Sequence, residues 1–164
     1  MNFLSIDPGK NVAIACWKND KLVDVIKWTF VESSFHSQNL SDFIGLISKL
    51  VSDLKIDVII SERPARTMPI QFIETYDMRM LAKKRKIQFV FYPAKKVKKI
   101  SSGNGNSTKD DMTSSLLLKN IYSKKKVMKM NEHEVDSIMI GVCFLEDVMK
   151  GDMKIKKRKI KEKN

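Results

Sequence analysis

A chain of 164 residues is the size of one domain and can bury a core without disulfides or a structural metal. Its 31 Lys and Arg against 19 Asp and Glu leave a formal net charge of +12, so a polyanion is the expected partner, because phosphate neutralisation drives non-specific nucleic-acid affinity. Cys16 and Cys143 form no CxxC and no Cys/His pairing at zinc spacing, and no apolar run nears the roughly 18 residues that span a bilayer, which excludes disulfide scaffolds, zinc modules and membrane spans.

In chain order, residues 2–6, 12–17 and 22–29 read as strands, the last two joined as a hairpin through Lys18-Asn19-Asp20-Lys21. The first is almost wholly apolar and is expected at the sheet centre, while the other two carry more polar residues and are expected toward an edge. From Leu40 the apolar residues Phe43, Ile44, Ile47, Leu50, Val51 and Leu54 form a helical stripe. A buried strand over 56–61 follows, then a polar exit loop over 63–69 marked by Pro64 and Pro69, a helix over 70–84 and a strand over 87–92. A lysine-rich segment around Val97 and Ile100 leads into a loop over 101–106 rich in Ser, Gly and Asn. Helices are predicted over 108–122 and 131–149, the second with a core stripe of Val135, Ile138, Met139, Val142 and Leu145. The order βββαβαβαα is α/β, with one domain over 1–150 and a basic tail over 151–164, expected to be disordered.

Three acidic signatures stand out along this order. Asp7 ends the first strand before Pro8-Gly9, and buried strands rarely finish on a carboxylate without a partner. Taken alone, Asp-Pro-Gly is a common turn. Glu62 repeats the arrangement after Ile59-Ile60-Ser61, and a right-handed crossover would lay its strand beside the first, so that both carboxylates emerge at the same edge. His133 and Asp136, three residues apart, share a face of the last helix and can be aimed at those strand ends. Glu132 shares that face as a rival ligand, while the bland reading of Glu132, His133 and Glu134 is a helix start whose dipole favours acids. A carboxylate-rich set selects hard ions such as Mg²⁺ or Mn²⁺. Two such ions, bridged by Asp7 about 4 Å apart, would serve phosphodiester hydrolysis, with His133 as ligand or proton carrier.

Ile6-Asp7-Pro8-Gly9, the strand-terminal Glu62 and His133-x-x-Asp136 resemble the RuvC family of Holliday junction resolvases, a branch of the ribonuclease H-like fold. The segment Pro93-Ala94-Lys95-Lys96-Val97-Lys98-Lys99, the glycines Gly103 and Gly105, and Lys109 resemble that family's basic segment, glycine loop and following lysine. The resemblance implies a mixed five-stranded sheet, three antiparallel strands then two parallel, flanked by helices. It implies a homodimer that cuts four-way DNA junctions and related branched DNA by paired symmetric nicks, with two Mg²⁺ per site held by Asp7, Glu62, Asp136 and His133, Mn²⁺ substituting, and no small-molecule cofactor. Lys98 and Lys109 match the family's phosphate-facing lysines, and Lys96, Arg63 and Arg66 join them as DNA-contacting candidates. For Lys95, Lys96 and Lys99 a solvated helix end competes with that role. The region around Phe72, Ile73 and Tyr76 corresponds to the family's dimer and junction-wedge helix.

The stretch 63–69 after Glu62 departs from the usual bacterial continuation, which, with the lysine content and basic tail, suggests a divergent phage or viral member. The expected location is the cytoplasm, that of the host cell for a virus, with Lys156-Lys157-Arg158-Lys159 leaving the nucleus open. A ribosomal-RNA maturation nuclease of the same fold also opens on Asp-x-Gly and uses three acids, and a non-catalytic basic DNA-binding protein would use the charge alone. The latter has no use for three carboxylates that repel phosphate.

Overall fold

The computed structural model describes residues 1–30, 37–65, 69–103, 105–106, 108–119, 121–153 and 155. Most of the basic tail, and with it the expectation of disorder, lies outside the described residues. A five-stranded sheet in the order β3-β2-β1-β4-β5 is built from β1 (Phe3–Asp7), β2 (Asn11–Lys18), β3 (Lys21–Thr29), β4 (Val58–Glu62) and β5 (Gln88–Tyr92). β1 pairs antiparallel with β2 and parallel with β4, β2 pairs antiparallel with β3, and β4 pairs parallel with β5, which is the predicted mixed sheet. Asn19 and Asp20 close the β2–β3 hairpin with φ of 51° and 62°, the left-handed pair that a two-residue hairpin turn requires.

β1 is buried at every position, as expected of a central strand. Only β3 matches the expectation of an edge for the hairpin. β2 lies between β1 and β3 and is buried from Val12 to Trp17, because Ala15 and Trp17 meet one helical layer while Val12, Ile14 and Cys16 meet the other.

The helices are α1 (Ser37–Asp53), α2 (Pro69–Arg85), α3 (Ala94–Ser102), α4 (Lys109–Leu118), α5 (Lys124–Val127) and α6 (Glu132–Lys150). α3 and α5 are absent from the predicted order, and α4 stops at Leu118 rather than continuing to 122. Among the described side chains of α3 Val97 is fully buried and Ile100 packs beside it, a stripe too short to read as a helix among four lysines, yet Gly103 ends it in a left-handed cap at φ 79°. Both α4 and α6 open on capping boxes, Thr108 with Asp111 and Asn131 with Glu134.

Strand alternation divides the core in two. Phe3, Val58 and Ile60 face the layer of α6, α4 and α3, whereas Leu4, Ile6 and Ile59 face α1 and α2 through Phe43, Ile47 and Met78. Two contacts pin α6 to the sheet. Ser5 Oγ donates to the Ser137 carbonyl at 2.7 Å while accepting from Trp17 Nε1 at 2.8 Å, and Gly141 lies so close to the Trp17 ring that an added Cβ would stand 2.5 Å from it. Burial pushes both free thiols, Cys16 and Cys143, up to about 12, consistent with packing residues. Among the described residues no helix is long and apolar enough to cross a membrane.

Candidate active site

The alternation that buries Phe3 and Ser5 on the α6 side of β1 puts Asp7 on that side, and the same period carries Glu62 there after Val58 and Ile60 on β4. Ile6 pairs with Ser61 in the parallel ladder, so Asp7 and Glu62 are the next residues of neighbouring strands. His133 sits one helical turn before Ser137, the residue that fastens α6 to Ser5, and its Nδ1 lies 2.8 Å from Oδ2 of Asp7. Asp7, Glu62, His133 and Asp136 together line one cavity of about 400 Å³, joined by Lys98 and Gln71.

Glu62 and Glu74 both respond to these surroundings. Burial, and after it the charges of Asp7 and Asp136, push Glu62 up to about 7, with Lys98 pulling the other way. Glu74, fully buried on α2, is pushed up to about 8 chiefly by burial, opposed by the Gly9 N–H it accepts at 3.0 Å, with the Asp7 charge raising it further. Gly9 holds φ at 156°, which favours glycine, and completes the turn that Pro8 begins.

Three carboxylates and an imidazole facing one cavity fit a hard divalent ion in kind. Among the described residues no three acidic, His or Cys side chains stand close enough together to form a ligand cluster. Burial is the larger cause of the rise at Glu62 and the facing carboxylates add to it; a cation bound there would favour the charged form.

The other predicted residues are distributed unevenly. Lys98 lines the cavity. Lys96 does not: its ammonium lies 2.5 Å from the buried Asp147 carboxylate, which also accepts from the Tyr92 hydroxyl. Arg63 is exposed outside the cavity, its backbone N–H donating to the Tyr92 carbonyl at 2.8 Å. Glu132 is also outside, with Oε1 3.7 Å from His133 Nε2. Arg66 and the Lys109 side chain lie outside the described residues. Lys10, Asn11 and Gln71 line the cavity without having been singled out from sequence. Lys10 could have been found as the residue directly after the Asp7-Pro8-Gly9 turn, whereas nothing in the sequence marked Gln71.

No family model and no curated protein matches the chain. Solved structures do. Thermus thermophilus RuvC is similar at 11% identity over 95% of this chain and 100% of that one, with a TM-score of 0.75. T. thermophilus RuvC in complex with a Holliday junction substrate is similar at 14% identity over 95% and 99%, TM-score 0.78. The fowlpox virus Holliday junction resolvase is similar at 16% identity over 90% and 99%, TM-score 0.61. The mixed sheet, its helical layers and these whole-length superpositions show that the chain has the ribonuclease H-like fold of the RuvC resolvases.

Proposed function

We propose that this protein is a structure-selective endonuclease that resolves four-way and related branched DNA junctions, a divergent viral or phage counterpart of RuvC working in the cytoplasm. The observation that carries the reading is the meeting of Asp7, Glu62, His133 and Asp136 in one cavity, on a fold whose T. thermophilus example was solved with a Holliday junction bound. The net charge of +12 supports a DNA substrate.

Asp7, Glu62 and Asp136, with His133, would hold two divalent ions, Mg²⁺ with Mn²⁺ able to replace it. Bound there, the ions supply an activated water and stabilise the departing oxygen of the cleaved phosphodiester. His133, hydrogen-bonded to Asp7, is placed to take up or return a proton beside the carboxylates. Lys98, which lines the cavity, and Lys109, at the start of α4, would contact the phosphates of the substrate.

Paired nicks require two sites, and α2 supports a homodimer. Phe72, Ile73, Tyr76 and Met80 are 45%, 46%, 63% and 45% exposed, and their spacing forms one apolar stripe along the helix.

The test is strand cleavage of an immobile four-way junction, beside linear duplex and a structured ribosomal-RNA precursor, with Mg²⁺ or Mn²⁺ and with Asp7→Asn as control. Symmetric nicks in the junction, lost in the variant while binding persists, are expected from a protein that sediments as a dimer. RNA cutting would move the assignment to a maturation nuclease, and binding without cutting would leave a DNA-binding protein.

A further inference from the structure

The parallel ladder between β1 and β4 pairs residues only as far as Ile6 and Ser61. Beyond that point the chain leaves the strands through Asp7-Pro8-Gly9 on one side and Glu62-Arg63-Pro64-Ala65 on the other, and the side chain of Gln71 bridges the two segments. Gln71 Nε2 donates to the Pro8 carbonyl at 2.9 Å, while Gln71 Oε1 accepts from the Ala65 N–H at 2.9 Å. Both ends of the amide are used, so its orientation is fixed by its partners. One turn along the same helix, the fully buried Glu74 accepts from the Gly9 N–H at 3.0 Å through Oε2. The Thr75 hydroxyl donates to the Gln71 carbonyl at 2.6 Å, tying the start of α2 together.

We propose that Gln71 is a positioning residue, an amide staple that sets the separation of Asp7 and Glu62 by joining the chain segments that follow them, with Glu74 holding the first segment from beneath. The juxtaposition is independent of substrate; its consequence for cutting rests on the nuclease reading above. A carboxylate pair that shares ions must be held at a fixed spacing, and residues that orient metal ligands from behind typically contribute about 10- to 100-fold in metal affinity or activity. Glutamine is the side chain that fits here. Glutamate would keep the acceptor for Ala65 but lose the donor to Pro8, and methionine matches the length with neither.

The experiment compares wild type with Gln71→Met, Glu74→Met and Glu74→Gln in the full chain, by three readouts: amide hydrogen exchange at Gly9 and Ala65 in metal-free protein, Mn²⁺ titration, and the kcat and KM of junction cleavage. Gln71→Met is expected to speed exchange at Ala65, weaken Mn²⁺ binding by about 10-fold and lower kcat by about 10- to 100-fold at an unchanged KM. Glu74→Met is expected to speed exchange at Gly9, and Glu74→Gln, which keeps an acceptor, to restore protection. Unchanged exchange and Mn²⁺ affinity in Gln71→Met would overturn the staple, as would losses that only track a lower melting temperature. If wild type cuts no junction while exchange and Mn²⁺ binding respond as expected, the staple stands and the resolvase reading falls.

Discussion

Nδ1 of His133 lies 2.8 Å from Oδ2 of Asp7, across 126 residues of sequence, and this contact ties the start of α6 to the end of the central strand. A ring nitrogen against a carboxylate oxygen shares one proton, so the pair can orient a ligand and carry a proton at the same place. His133→Ala is expected to lower junction cutting by about 100-fold or more, the usual scale for a proton carrier, with junction binding retained. His133→Asp, which restores an oxygen ligand, is expected to recover part of the loss. Single-turnover cleavage at saturating protein separates the two variants.

Glu62 and Glu74 predict how metal-free stability depends on pH. Burial, joined at Glu62 by Asp7 and Asp136, holds them at about 7 and about 8, above the ordinary 4.5. Between 4.5 and those values the folded chain keeps protons that the unfolded chain has released, so stability from these groups is fully present below 4.5 and is lost as pH rises through 7 and 8. Melting temperature in chelator is expected to fall across that window, less steeply in Glu62→Gln, and Mg²⁺ is expected to restore it at the alkaline end. Thermal unfolding at several pH values checks each part.

Lys98 and Lys96 lie two residues apart on α3 but face different groups. Lys98 lines the carboxylate cavity, and Lys98→Gln is expected to weaken junction binding and reduce the slope of log affinity against log salt by about 1. Lys96 is on the buried Asp147 carboxylate, so Lys96→Gln is expected to leave that slope unchanged and to cost about 1–3 kcal/mol of stability, because Asp147 loses its cation. Salt titrations of junction affinity beside urea unfolding distinguish them.

Gly141→Ala places a methyl group 2.5 Å from the Trp17 ring, and neither α6 nor the buried indole can yield cheaply. The expected cost is about 1–3 kcal/mol by urea unfolding. Cutting is expected to fall further than that loss implies, because a shift of α6 moves His133 and Asp136 away from the strands.

Much of this was legible in the sequence, for identifiable reasons. β1 and β4 announced themselves as apolar runs with a terminal carboxylate, and their adjacency followed from the handedness of the crossover between them. His133 and Asp136 were legible because helical spacing fixes which residues share a face. α3 was not, since its apolar stripe of Ala94, Val97 and Ile100 is short and is crowded by lysines that read as a loop. Neither was the pairing of Lys96 with Asp147, or the bridging amide of Gln71. Both depend on which polar groups the finished fold brings within reach, and isolated polar residues carry no periodic signal.

The partition of the core gives the site a dependence on completed folding. Asp7 and Glu62 leave the sheet, His133 and Asp136 arrive with the layer packed on one face, and Gln71 and Glu74 belong to the layer packed on the other. A chain with only one layer docked lacks either His133 and Asp136 from the cavity or the hold of Gln71 and Glu74 on the strand ends. Under the proposed nuclease reading this would act as a safeguard, since a nascent or partly unfolded copy would lack the assembled site and cutting would wait until both sides of the sheet are covered.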